Sequence, residues 1–163
     1  MEIGDHWKTI RGIFDEAFKS NMHFAVATVT EDGSPHVAPI GSLILRDDPG
    51  GFYFEEYPVG LPRNLKANPR VCIMAVNSDK MFWGQALMKG KFFSPPGVRL
   101  YGRAGHLRNP TPEETAQWLE KIAPLKGTKG YELLWSRFSW VRDVVFDAFE
   151  PVETGEMTRE LWK

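Results

Sequence analysis

The segment VCIMAVN, Val71–Asn77, is apolar at both alternating sets of positions. Side chains on a strand point to opposite faces in turn, so a strand of this kind needs cover on both sides. A barrel interior supplies one cover, and a helix or a second subunit supplies the other. The runs before it fit such a sheet. HFAVATVT is rich in β-branched and small residues, EDGS breaks it, and HVAPIGSLILR returns. Asp-Gly between two extended runs is a hairpin signal. Pro39 and Gly41 fall inside the return run, which predicts an edge strand or a bend there. DDPGG then turns the chain into FYFEEY.

The other elements are helices and two later strands. Ile3, Trp7, Ile10, Phe14 and Phe18 recur at spacings of three and four, which predicts an amphipathic helix over about 5–19. Phe82, Trp83, Leu87 and Met88 place a helix over Lys80–Lys89. GVRLYGRAGHLR reads as a strand. NPTPEETAQWLEKIAP opens with Thr111 as N-cap, Pro112 as first helical residue and Glu114 closing a capping box. GTKGYELLWSRF reads as a further short helix, and VRDVVFDAFEPVE as the last strand. The expectation is an α+β fold, a small closed barrel of six mostly antiparallel strands with appended helices, in a single domain over 1–163. An insertion spans about 78–97 and a helical segment about 111–138.

Composition narrows the function. The net charge is −1, which argues against a broad nucleic-acid surface. No apolar stretch reaches membrane-spanning length. The opening MEIGDHWKTIRG lacks the apolar core of a signal peptide. Cys72 is the one cysteine and looks buried, so a reducing cytosol is expected. His6, His23, His36 and His106 lack metal-ligand spacing. No hydrolytic or nucleotide-loop motif is present. Hard chemistry would therefore come from a bound cofactor. Six tryptophans suit a flat ligand as well as a core.

GLPRNLKANP, Gly60–Pro69, holds the sharpest local signal. Pro62 suits a first helical turn and Pro69 ends the run. The free N–H groups at the start of a helix favour an anion. Arg63 lies in that first turn, where the helix dipole disfavours a cation and a bound anion would reverse the cost. Arg63 is thus either a phosphate ligand, with Asn64 as a neutral donor, or a solvated charge on a spacer helix.

The order of HFAVATVTEDGSPHVAPIGSLI, GFYFEEY, RNLKANPRVCIMAV and VRLYGRAGHL resembles the FMN-binding split β-barrel family related to pyridoxamine 5′-phosphate oxidase. Together these pieces span about half of the chain. The resemblance implies a six-stranded antiparallel split barrel and an obligate homodimer with FMN at the subunit interface. It implies that Arg63 meets the flavin phosphate with Asn64 nearby. The backbone of Ala38, Pro39, Ile40, Gly41 and Ser42 would lie along the flavin, and Phe54, Glu55 and Glu56 would flank its ribityl and phosphate part. The family often has a lysine two residues before the basic residue, where this chain has Leu61.

The insertion departs from the family's short turn. Read as a flavin wall, it brings Trp83 to stack and Lys91 toward the ring's N1–O2 edge. Read as packing, it is a dimer-contact helix with solvated lysines. Arg99 and Arg103 face the ligand or solvent. The resemblance implies an FMN-dependent oxidoreductase. The alternatives are a non-catalytic flavin or electron carrier, or a relative holding haem or deazaflavin F420, although no histidine is placed as an obvious haem ligand.

Overall fold

A computed structural model describes residues 1–135 and 138–162. Helix α1 (Ile3–Asn21) buries Trp7, Ile10 and Phe14 of the predicted stripe together with Ile13 and Ala17, while Ile3 and Phe18 are half-buried. It ends where Met22 takes a left-handed conformation, φ 61°. Strands β1 (Phe24–Val29) and β2 (Pro35–Ile40) form the Asp-Gly hairpin, and Gly33 has φ +86°. β3 (Ile44–Leu45) and β4 (Gly50–Phe54) form a second hairpin. Helix α2 (Gly60–Ala67) leads to β5 (Arg70–Val76), and α3 (Lys80–Lys89) to β6 (Gly97–Arg108). Then follow α4 (Pro112–Lys121), a 3₁₀ turn at Ala123–Leu125, α5 (Lys129–Trp135) and β7 (Val141–Pro151). Ser136 and Arg137, which the sequence assigns to the last helix, lie outside the described residues. Among the described residues, no helix is long and apolar enough to cross a membrane.

All strand pairings are antiparallel, in the order β2-β1-β5-β6-β7-β4-β3. Among the described residues there are seven strands where the sequence predicts six. The run HVAPIGSLILR is two strands, at opposite ends of the sheet. Only residues 41–43 join them, a reach of at most about 14 Å. Seven strands laid flat would span roughly 29 Å from first to last. The sheet must therefore curl until its edges approach, with no hydrogen-bonded pairing between β2 and β3. Gly41 stands at the join, where an added Cβ would lie 2.9 Å from the Met22 carbonyl oxygen. A side chain there would push the sheet edge off the end of α1.

The curl encloses Phe24, Val26, Ile40, Tyr53, Val71, Ile73, Ala75, Leu100 and Val144, and α1 plugs the opening. A second cluster of Phe52, Phe54, Trp118, Ile122 and Val141 lies under α4. An ionic network pins the start of α4. The Glu114 carboxylate closes the capping box with Thr111 and meets Arg108 (2.8 Å) and Arg46 (3.3 Å). Asp143 on β7 accepts from both arginines.

The doubly apolar strand is now explained. On β5, Val71, Ile73 and Ala75 are buried, while Cys72, Met74 and Val76 on the other face are half-buried. Cys72 is therefore less covered within one chain than the sequence suggests. Its face continues along the sheet, because residues paired across strands project together. One row is Pro39, Ala25, Met74, Arg99 and Glu150. The next is Val37, Ala27, Cys72, Tyr101 and Ala148. Among the described residues these rows stay partly open, and Val37 is 64% exposed.

Candidate functional site

Helix α2 has an inner and an outer face. Leu61, Asn64 and Leu65 are buried, while Arg63, Lys66 and Ala67 are exposed. The Asn64 amide donates to the Thr28 hydroxyl at 3.1 Å, and that hydroxyl lies 3.4 Å from His36 Nδ1. Gly60 leaves room for the same imidazole, since a Cβ there would sit 2.9 Å from His36 Nε2. His36 is thus half-buried against α2. Asn64 fixes α2 to the β1–β2 hairpin with its side chain turned inward.

Arg63 is the outward member of the pair. Among the described residues, its guanidinium has no ion pair or hydrogen bond. It borders a depression of about 390 Å³ with Thr30, Glu31, Asp32, Ser34 and Asn64. The Asp32 carboxylate is held by the Thr30 hydroxyl and the Ser34 N–H, which lower its pKa. No side chain caps the start of α2, and its first turn carries no acid. Leu61 is fully buried, so position 61 belongs to the core.

The next predicted stretch is stitched together by Ser42. Its hydroxyl donates to the Phe54 carbonyl and accepts from the Phe54 N–H, both at 3.0 Å. That holds the β2–β3 join against the end of β4. Phe54 is buried in the second cluster beside Trp118 and Phe138. The Glu55 carboxylate is buried and takes a bidentate contact from Arg142 and a 2.7 Å bond from the Tyr53 hydroxyl. Burial and then the Glu55 charge push the Tyr53 phenol pKa up. Glu56 accepts from the Ser139 and Trp140 N–H groups. Both carboxylates are therefore spent inside the fold.

The remaining predicted residues lie elsewhere on the chain. Ala38 and Ile40 pair with the buried Val26 and Phe24 and project inward with them, while Pro39 points outward. Arg99 shares the Pro39 row and pairs with Glu150 at 3.2 Å. Glu150 also accepts from Tyr101 (2.8 Å), a bond that pushes the Tyr101 pKa up to about 12. Burial raises the Cys72 thiol pKa against the opposing pull of Arg99. Trp83 donates to the Asn77 carbonyl at 2.6 Å and meets Phe92 edge-on at 5.0 Å between centroids. Lys91 rests over Phe93 at 5.3 Å.

Two ends of the sheet are involved. Thr28, which binds Asn64, lies one residue beyond the Ala27–Cys72 pair, near the start of β5. Trp83 and Lys91 follow the other end, after Val76. The two groups are separated by the length of β5 between Val71 and Val76, roughly 17 Å at 3.3 Å per residue. One chain does not bring Arg63 and Trp83 to the same place. Sequence reasoning missed Arg142 and Thr28, which hold Glu55 and Asn64. Their partners are 87 and 36 positions away, with no local spacing to betray them.

The family model for pyridoxamine 5′-phosphate oxidase matches residues 13–145, most of the chain. The chain belongs to that family. Solved structures share the fold at low identity. An FMN-binding protein from Syntrophomonas wolfei subsp. wolfei is 15% identical, with 92% of this chain and 90% of that one covered and a TM-score of 0.62. HupZ from Group A Streptococcus is 17% identical, covering 91% and 94%, with a TM-score of 0.58. An F420 reductase is 18% identical, covering 84% and 95%, with a TM-score of 0.55. No curated protein matches the chain. The pyridoxamine 5′-phosphate oxidase family match spans every strand up to Val145, and so includes α2, β5 and the α3 insertion.

Proposed function

We propose that this member of the pyridoxamine 5′-phosphate oxidase family is an FMN-binding oxidoreductase that works as a homodimer. The observation that carries the reading is Arg63, an exposed cation without an internal partner, beside the uncapped start of α2. Arg63 and the start of α2 suit a phosphate monoester, while Glu31 and Asp32 on the other side of the same depression oppose one. The helix supplies N–H groups and a positive dipole end. Arg63 supplies a charge-assisted contact. Glu55 is balanced by Arg142, and Glu56 is held in place by the Ser139 and Trp140 N–H groups. The buried Leu61 leaves Arg63 without the second cation the family often has.

Bound FMN would supply hydride or single-electron transfer at its N5. The chain's own task is to bind, orient and shield. Asn64 orients α2 through Thr28, and Ser42 locks the β2–β3 join to β4. The outward rows from Pro39 to Glu150 support a second copy as their cover, since each half-buried apolar residue there gains from being shielded. The likeness to an F420 reductase supports a second reading, a deazaflavin in the same cleft.

The absorbance spectrum of the freshly purified protein separates these. Flavin bands that persist through gel filtration support FMN. A deazaflavin band supports the second reading. A colourless protein that leaves added FMN unbound rules out the flavin assignment.

A further inference from the structure

A larger cavity, about 970 Å³, opens between α1, β3 and the C-terminal end of α4. It borders the β1-start end of the β1–β2 hairpin, through Met22 and Leu43, whereas Arg63 adjoins the turn end. Its apolar wall is Phe14, Phe18, Leu43, Ile44, Leu45 and Leu125. Its volume is that of a site for a small organic molecule.

Half of the charged residues that line it are ion-paired. Arg11 pairs with Asp47 at 2.6 Å, Lys19 with Glu16 at 2.7 Å, and Arg46 with Glu114 and Asp143. Lys121 is the lining cation outside these pairs, and the acids Asp15, Asp48 and Glu120 line the cavity outside them too. The Lys121 ammonium lies 4.3 Å from the Phe18 ring centre and 5.9 Å from that of Phe24. Among the described residues it makes no hydrogen bond and no ion pair. Lys121 is half-buried, so the protein leaves its three ammonium donors to the open cavity. Burial accordingly pulls the Lys121 pKa down, and Asp15 only partly offsets this. The rings hold the cation by their faces but accept no ordinary hydrogen bond.

We propose that this cavity binds a small amphipathic anion, a carboxylate or sulfonate on an apolar body, with the acid group on Lys121 and the body against Phe14, Phe18, Leu43, Ile44 and Leu125. The acid group accepts the donors that the protein leaves unmet. The apolar wall takes the rest of the molecule, and the solvent-exposed acids Asp47 and Asp48 at the rim disfavour polyanions. This site stands independently of the flavin reading, since it uses neither Arg63 nor the outward sheet rows.

The test is a fluorescence titration of the full chain with anilinonaphthalene sulfonate, with decanoate as competitor. Wild type is expected to bind one probe per chain saturably and to release it to decanoate. Lys121→Met keeps the apolar stem and removes the charge, and should weaken both ligands roughly tenfold or more, as expected for loss of a charged hydrogen bond. Arg63→Ala should leave probe binding unchanged. A smaller loss in Lys121→Met overturns the proposal, as does an equal loss in Arg63→Ala. If Lys121→Met does not fold, Leu125→Trp decides instead. It fills the apolar wall and leaves the ammonium in place, so abolished binding supports the site and unchanged binding overturns it.

Discussion

At the scale of single residues, neighbours on one helix turn divide the work of α2. Arg63 points outward and keeps its charge free, while Asn64 points inward and spends its amide on Thr28. The two should therefore respond differently to mutation. Asn64→Leu removes a donor to a buried hydroxyl and places a bulkier apolar group at a site that is 2% exposed. It should lower stability by about 1–3 kcal/mol, the usual cost of an unmet buried polar group. A matching fall in Tm, measured on protein without FMN, checks this. An unchanged Tm would mean that the Thr28 contact contributes nothing. Glu55 makes a related case. Arg142→Met would leave its carboxylate buried and unpaired, and should cost about 3–5 kcal/mol in a urea titration.

At the scale of elements, much was legible where the signal is local. The helix over Lys80–Lys89 and the capping box at Thr111 and Glu114 are found where spacing and cap chemistry place them. The Asp-Gly hairpin is likewise where the turn residues put it. The split of HVAPIGSLILR into two edge strands was not legible. Pro39 and Gly41 mark an interruption, but only the closure of the sheet decides that the two halves pair with different partners. The same limit hid the network of Arg46, Arg108, Glu114 and Asp143, whose members are brought together by sheet register.

That network has a pH signature. Arg108 first, and then Arg46, hold the Asp143 carboxyl down to about 2, and Arg108 lowers Glu114 as well. Each group therefore titrates below its own unfolded value in the folded chain, near 3.9 for an aspartate and 4.3 for a glutamate. Their contribution is complete above those values and is lost as pH falls through them toward 2. Tm should therefore drop between about pH 4 and pH 2. In Asp143→Asn the drop should be shallower, from a lower starting Tm. Parallel curves for the two proteins would show that Asp143 carries no such linkage.

At the scale of the whole molecule, the curled sheet has two faces with different needs. The inner face is filled by its own chain and by α1. The outer face keeps Val37, Met74 and Cys72 half-covered or exposed in rows that run from β2 to β7. That is why VCIMAV can be apolar on both sides in a protein of 163 residues. The dimer proposal assigns the second cover to another copy. Met74→Glu sits at the centre of one row, between Ala25 and Arg99, and places a carboxylate where the proposed interface takes an apolar side chain. Sedimentation should give a dimer for wild type and a monomer for the variant. A monomeric wild type would separate the fold from the proposed assembly.

The central claim is that FMN binds with its phosphate on Arg63. It is tested most directly by titrating FMN into the apo protein and into Arg63→Ala, following the flavin's fluorescence. Saturable binding to wild type is expected, with a loss of about 1.5–3 kcal/mol in the variant and no change in its apo Tm, because Arg63 has no internal partner to lose. Equal affinity for both proteins, or no binding to wild type, would contradict it.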